Sequence, residues 1–261
     1  MFAVRRVLRE THDGAINCVT YNPHRREFYS ASADNLIKCW DTETGTFVRT
    51  LEGHKGWVTH LLYLPSLRQL ISCSIDGKLL CWMSKAGGSG SKNEKSSAYS
   101  LVDDGDLGTP IHCMAYCERR KLLITATDGT LNLYSVAQAE HRKIKVNLVS
   151  KVKMHGDIIR CLLIIDDRTV LTAGYSRYVG VYDLETEKRD RIATPSAGGH
   201  DGAIAAMTYD THSARIITGG YDRTVKVWSM PPDGRLLQSF DNFPESVTGC
   251  SCEMFSNRPA P

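Results

Sequence analysis

Residues 16–41 read INCVTYNPHRREFYSASADNLIKCWD. Three short runs stand out in it: INCVTY, FYSASAD and NLIKCWD. Apolar and polar residues partly alternate within them, which is the period of a strand with one buried face. The second run is rich in small hydroxyl residues and ends in a turn at Asp34, and an aromatic, Trp40, follows the turn position in the third. Any further copy of this arrangement would make the stretch a repeating unit.

Further copies exist. VTHLLY (58–63), IHCMAY (111–116), IRCLLI (159–164) and IAAMTY (204–209) match the first run. About 14 residues after each begins come LISCSID, LITATD, VLTAGYS and IITGGYD, followed at once by GKLLCWM, GTLNLYS, RYVGVYD and RTVKVWS. A fourth, more polar run leads into the next copy, as in GTFVRTLEGH and GRLLQSFDNF. Four short strands per unit of roughly 40 to 50 residues describe one blade of a β-propeller. The expected fold is all-β: a propeller of four-stranded antiparallel blades, five complete and a partial sixth, in an incomplete or open ring.

The expected propeller domain occupies residues 1–254, with units starting near 12, 54, 107, 155, 200 and 243 and a disordered tail at 255–261. VTGCSCEM (247–254) restarts the pattern without completing it, while AVRRVLRE (3–10) occupies the place of a fourth strand ahead of the first unit. Strand edges left unpaired at such a gap invite self-association, or completion of the sixth blade by a partner.

The units resemble WD repeats. Gly53-His54 and Gly199-His200 match the family's Gly-His pair, Trp40-Asp41 matches its Trp-Asp, and Tyr182-Asp183 is a softened version. The resemblance implies a hydrogen-bonded chain in each unit: a His ahead of the first strand, a Ser or Thr on the second, an Asp in the turn and a Trp on the third. His12, Ser30, Asp34 and Trp40 fill these places in the first unit; His54, Ser72, Asp76 and Trp82 in the second; His200, Thr218, Asp222 and Trp228 in the fifth. Polar groups buried between blades are costly unpaired, whereas a satisfied network fixes strand register. His, Ser and Asp together also suggest a nucleophile and its base, but a constellation repeated in three units points to architecture, so no enzyme activity is expected. The third unit has Leu107 at the His position and Tyr134 for the Trp. The fourth keeps His155 and Thr172 but has Ser176 for the Asp and Tyr182 for the Trp, so both clasps should be weaker.

The resemblance also implies a partner surface formed by the loops entering the first strand and those joining second to third. Asp13, Lys55, Trp57, Tyr175, Asp201 and Tyr221 stand at those positions, and aromatic anchors of this kind usually dominate binding energy. Trp57 has a competing reading as a residue packed against a neighbouring blade.

A net charge of +3 over 261 residues argues against a nucleic-acid footprint. The one basic concentration, HRKIKVNLVSKVK (141–153), reads first as a solvated outer strand and second as an RNA-binding segment. SKAGGSGSKNEKSS (84–97) reads as a flexible loop, and Asp103 to Asp106 as an acidic turn. Arg5, Arg6, Arg9 and Glu10 interrupt any signal-peptide core, and no run approaches the ~20 apolar residues of a membrane helix, so a cytoplasmic or nuclear location is expected. Nine cysteines without any Asn-X-Ser/Thr sequon read as reduced thiols. Cys18, Cys113 and Cys161 recur in first strands, and Cys39 and Cys81 precede the Trp, which packing explains. Cys113 with Cys117 and Cys250 with Cys252 lack partners at zinc spacing. No metal, cofactor or membrane is expected, and other proteins are the expected partners.

Overall fold

The computed structural model describes residues 12–83, 97–100, 108–139 and 143–250. Its strands form five four-stranded antiparallel sheets, the arrangement of propeller blades. The first holds β1 (Ile16–Asn22), β2 (Glu27–Ser32), β3 (Ile37–Asp41) and β4 (Phe47–Leu51); the second β5 (Val58–Leu64), β6 (Gln69–Ser74), β7 (Leu79–Met83) and β8 (Ser97–Ser100). The third holds β9 (Cys113–Cys117), β10 (Leu122–Ala126), β11 (Thr130–Gln138) and β12 (Ile144–Lys153). The fourth is β13 (Ile159–Ile165), β14 (Thr169–Gly174), β15 (Val179–Asp183) and β16 (Arg189–Ile192); the fifth is β17 (Ile204–Asp210), β18 (Arg215–Gly220), β19 (Val225–Ser229) and β20 (Leu236–Phe240). Consecutive strands are neighbours in every sheet, because connections of a few residues leave no room for a crossover.

Two compact units divide these sheets: the first two sheets and most of the third form one, the fourth and fifth the other. In the first unit, β1 and β2 pack against β5. Tyr29, Ile37, Cys39 and Leu51 of the first sheet meet Val58, Leu61 and Tyr63 of the second in one buried cluster. A second cluster joins Ile71, Cys73, Leu79 and Cys81 to Ile111, Met114 and Leu123. In the second unit, Leu171, Ala173, Val179 and Val181 enclose Ile204, Met207 and Trp228. Burial of one large aliphatic or aromatic side chain contributes roughly 1.5–3 kcal/mol, so these sheet-on-sheet seams supply most of the stabilisation.

Two backbone devices recur. The first strand carries a bulge after its first residue, between Ile16 and Cys18, Val58 and His60, Ile159 and Cys161, and Ile204 and Ala206. The extra residue explains why alternation in these strands is only partial, since two successive residues spend one ladder position. The turn from second to third strand places a left-handed residue after the Asp position: Asn35 (φ 70°), Gly77 (φ 77°), Arg177 (φ 60°) and Arg223 (φ 62°).

Register-equivalent residues do not share one fate. Val58, Leu61 and Tyr63 are buried against the first sheet, whereas Ile16, Val19 and Tyr21, which occupy the same places on β1, are exposed. At the other end, the restart expected at 247–254 is no strand over 247–250, and 251–254 lies outside the described residues. Val247 nevertheless donates its N–H to the Gly220 carbonyl at 3.1 Å, as Ile111 does to Ser74 at 3.2 Å. The sixth unit therefore begins in register and lacks a ladder there.

The basic run lies on β12, the outer strand of the third sheet, over its residues 144–153; His141 and Arg142 lie outside the described residues. So do residues 3–10, the insertion at 84–96, the acidic turn at 103–106, Leu107 and the tail at 255–261. Among the described residues no helix is long and apolar enough to cross a membrane.

Candidate functional site

Three clasps have the same geometry. In the first sheet the Trp40 indole N–H donates to Ser30 Oγ at 2.8 Å, Ser30 Oγ lies 2.8 Å from His12 Nε2, and His12 Nδ1 lies 2.8 Å from the Asp34 carboxylate. The second sheet repeats this with Trp82 to Ser72 at 2.8 Å, Ser72 to His54 at 2.7 Å and His54 to Asp76 at 3.2 Å. The fifth has Trp228 to Thr218 at 2.9 Å, Thr218 to His200 at 2.7 Å and His200 to Asp222 at 2.9 Å. An ionised carboxylate only accepts, so each Nδ1 carries the proton, Nε2 accepts from the hydroxyl, and the hydroxyl oxygen accepts from the indole. One direction of donation runs through all four groups.

Burial favours the neutral imidazole. Desolvation depresses the pKa of His54 and His200 further than their carboxylates raise it. Burial opposes ionisation of Asp34, Asp76 and Asp222, yet their amide and imidazole hydrogen bonds outweigh it and hold them below the usual carboxylate range. Ser30, Ser72 and Thr218 are buried, so no hydroxyl is presented to a substrate. Among the described residues no cluster of three or more His, Cys, Asp or Glu could hold a metal ion, and the described cysteines are thiols outside any disulfide. Cys39, Cys81 and Cys113 are buried, and Cys18 and Cys161 half-buried.

The third and fourth sheets differ. Thr125 and Tyr134 are buried in the third, and burial pushes the Tyr134 pKa up. In the fourth, His155 Nε2 lies 2.8 Å from Thr172 Oγ1, but His155 Nδ1 is buried without a partner among the described residues. Tyr178, two residues after Ser176, stacks on the imidazole with ring centroids 4.6 Å apart, and the Arg191 guanidinium lies 4.7 Å above the Tyr178 ring. Burial pushes the His155 pKa down to about 4. Gly180 is required here, because a Cβ would fall 2.6 Å from Thr172 Oγ1 and 3.0 Å from His155 Nε2.

The clasps also hold the loops above them. The clasp carboxylates accept the backbone N–H groups of Asp13 (3.1 Å), Lys55 (2.8 Å) and Asp201 (3.0 Å), whose side chains are exposed. Trp57 accepts the Ile75 N–H at 3.1 Å through its carbonyl, while its side chain is 56% exposed rather than packed on a neighbouring sheet. In the second unit, Tyr175 and Tyr221 donate their backbone N–H groups to Ile158 and Ala203, and their exposed rings lie 6.4 Å apart at 58°. Six outward side chains thus stand on anchored backbone, three in each unit. Arg177 and Arg223, exposed at the left-handed turn position beside the tyrosines, belong with them and were missed in the sequence; their place directly after the Asp position was the available signal.

The chain matches the WD40 family model, described as WD domain, G-beta repeat, over residues 4–41, 45–83 and 193–229. It is a WD-repeat protein. The matched WD-repeat segments are those holding the three complete clasps, while the altered ones fall between residues 84 and 192. WD repeat-containing protein 1 of Xenopus tropicalis is 27% identical over 84% of this chain and 34% of its own length. The guanine nucleotide-binding protein subunit beta-like protein of Encephalitozoon cuniculi is 24% identical over 69% of this chain and 54% of its own length. A ribosome biogenesis protein WDR12 homolog of Brugia malayi is 27% identical over 31% of this chain and 20% of its own length. This WD-repeat chain therefore spans from a fifth to about half of these relatives. A crystal structure of the computationally designed Ika8 protein shares the fold, with TM-score 0.67 and 22% identity over 94% of this chain and 67% of that one.

Proposed function

We propose that this WD-repeat chain is a non-catalytic protein-binding scaffold and adaptor whose contact residues are Asp13, Lys55 and Trp57 in the first unit and Tyr175, Asp201 and Tyr221 in the second. One observation carries the reading: large aromatic side chains are exposed on backbone that the clasps and turns hold fixed, which reduces the entropy lost on binding. The similarity to WD-repeat relatives supports the general role, and their printed names, ribosome biogenesis and G-protein β-like, define assemblies in which to look first. A cytoplasmic or nuclear location accords with such partners.

Affinity purification with quantitative mass spectrometry tests it, comparing wild type with Trp57→Ala and with Tyr175→Ala plus Tyr221→Ala. A defined set of proteins is expected to be lost from at least one variant, with circular dichroism and thermal midpoint unchanged. An identical protein set on all three baits would refute the surface assignment. The RNA reading is weaker: the described part of the basic segment is an edge strand, β12, with no aromatic residue on which a base could stack. RNA affinity with a steep salt dependence, removed by Lys145→Ala with Lys151→Ala, would reverse this order.

A further inference from the structure

The fourth clasp has no carboxylate at its Asp position and keeps the imidazole and the hydroxyl. His155 is buried and its Nδ1 has no partner among the described residues, although in three sister clasps the same atom meets a carboxylate at 2.8–3.2 Å. The residue at the carboxylate position is Ser176, half-buried, between exposed Tyr175 and Arg177. The turn is otherwise the same: Tyr175 N–H meets the Ile158 carbonyl at 3.1 Å, as Ala33, Ile75 and Tyr221 meet theirs at 2.9, 3.1 and 2.9 Å. Two cations disfavour a charge on His155: Arg191, stacked on the Tyr178 ring, and Lys153, which donates to the Asp128 carbonyl at 2.9 Å. An orphan imidazole in the field of two cations is a place for an anion.

A second substitution accompanies the first. Gly14, Gly56 and Gly202 sit where an added Cβ would lie 2.8, 3.1 and 2.8 Å from the backbone N of Asp34, Asp76 and Asp222. The fourth sheet has Asp157 at this place, and the turn keeps its 3.1 Å bond to Ile158 all the same. A serine hydroxyl ends one bond short of an aspartate carboxylate oxygen, so a longer group is needed to span from residue 176 to the imidazole.

We propose that Ser176 is a phosphorylation site and that its phosphoryl group completes the fourth clasp by accepting the proton of His155 Nδ1. A protein-serine kinase supplies the group from a nucleoside triphosphate. The Ser176 O–H bond is replaced by an O–P bond, the bond between the β- and γ-phosphates breaks, the nucleoside diphosphate leaves, and the hydroxyl proton passes to the kinase base. The added charge and acceptor oxygens pair with His155 and the neighbouring cations. In the unmodified chain the Thr172 hydroxyl has two acceptors in reach, His155 Nε2 at 2.8 Å and the Gly180 carbonyl at 3.3 Å, so either imidazole tautomer is served; phosphorylation fixes the proton on Nδ1.

The test uses the full chain carrying phosphoserine at 176 by genetic incorporation. Its thermal midpoint is expected to rise by roughly 2–4 °C over the unmodified chain. The ¹⁵N shifts of His155 should report the proton on Nδ1, and the gain in midpoint should vanish in His155→Phe. An unchanged or lowered midpoint, an unmoved imidazole signal, or an equal gain in His155→Phe overturns the proposal. If His155→Phe does not fold, the imidazole shifts of the phosphorylated wild type decide alone. Folded chain incubated with ATP and a panel of serine kinases should gain phosphate at Ser176, read by mass spectrometry; labelling confined to other residues counts against it.

Discussion

Removing one clasp carboxylate should cost far more than removing the hydroxyl that replaces it in the fourth sheet. Asp222 accepts from His200 Nδ1 at 2.9 Å, from the Asp201 N–H at 3.0 Å, from the Thr224 N–H at 3.2 Å and from the Thr224 hydroxyl at 2.9 Å. Asp222→Ala leaves the fully buried His200 Nδ1 with only the Thr224 hydroxyl, 3.1 Å away, and frees two backbone donors. A buried donor left unsatisfied costs roughly 1–3 kcal/mol, and the Thr224 groups can turn to water, so the expected loss is about 3 kcal/mol. For a chain of this size that lowers the thermal midpoint by roughly 6–12 °C. Ser176→Ala in unphosphorylated protein removes no contact of His155 and should stay within about 0.5 kcal/mol. Urea unfolding followed by hydrogen exchange of β17 to β19 for Asp222→Ala, and of β13 to β15 for Ser176→Ala, separates each sheet's response from the first unit's. Equal losses for Asp222→Ala and Ser176→Ala, or a loss at Asp222 below about 0.5 kcal/mol, would refute the view that the carboxylate holds the clasp together.

Three further outcomes are expected. The His155 pKa is depressed to about 4, so between about pH 6.5 and 4 the unfolded chain binds more protons than the folded one. Stability contributed by the neutral imidazole is full above about pH 6.5 and is lost as pH falls towards 4, by up to about 3 kcal/mol; a flat stability curve across that window would contradict it. Glu27 holds Arg49 through bonds of 2.9 and 2.8 Å with both side chains largely buried, so Glu27→Ala should cost about 3–5 kcal/mol in chemical denaturation. Replacing the pair by Glu27→Leu with Arg49→Met should cost much less. Burial raises the thiol pKa values of Cys39 and Cys73 to about 12, so iodoacetamide at pH 8 should leave both unmodified until denaturant is added, as peptide mass spectrometry would show.

The repeat was legible because its chemistry is local in spacing. Ser30, Asp34 and Trp40 lie within one hairpin, so a fixed strand register forces fixed offsets between them, and the offsets recur at 72, 76 and 82 and at 218, 222 and 228. Changes of residue type at Ser176 and Tyr182 announced a weaker fourth clasp for the same reason. The bulge after Ile16, Val58, Ile159 and Ile204 was visible only as imperfect alternation, since no residue type demands it.

Other features waited for tertiary structure because distant chain segments decide them. Trp57 faces solvent while Trp82 is buried, although both are tryptophans of the second repeat. Val19 is exposed while its register equivalent Leu61 is sealed against the first sheet. Glu27 finds Arg49 across the intervening strand β3, and His155 lacks an acceptor that its spacing to residue 176 would have allowed. The chain alone fixes which groups recur and how far apart they stand along a strand. Which of them are covered, paired or left with an open hydrogen bond depends on the sheet that lies against them, and that is set by packing between segments far apart in sequence.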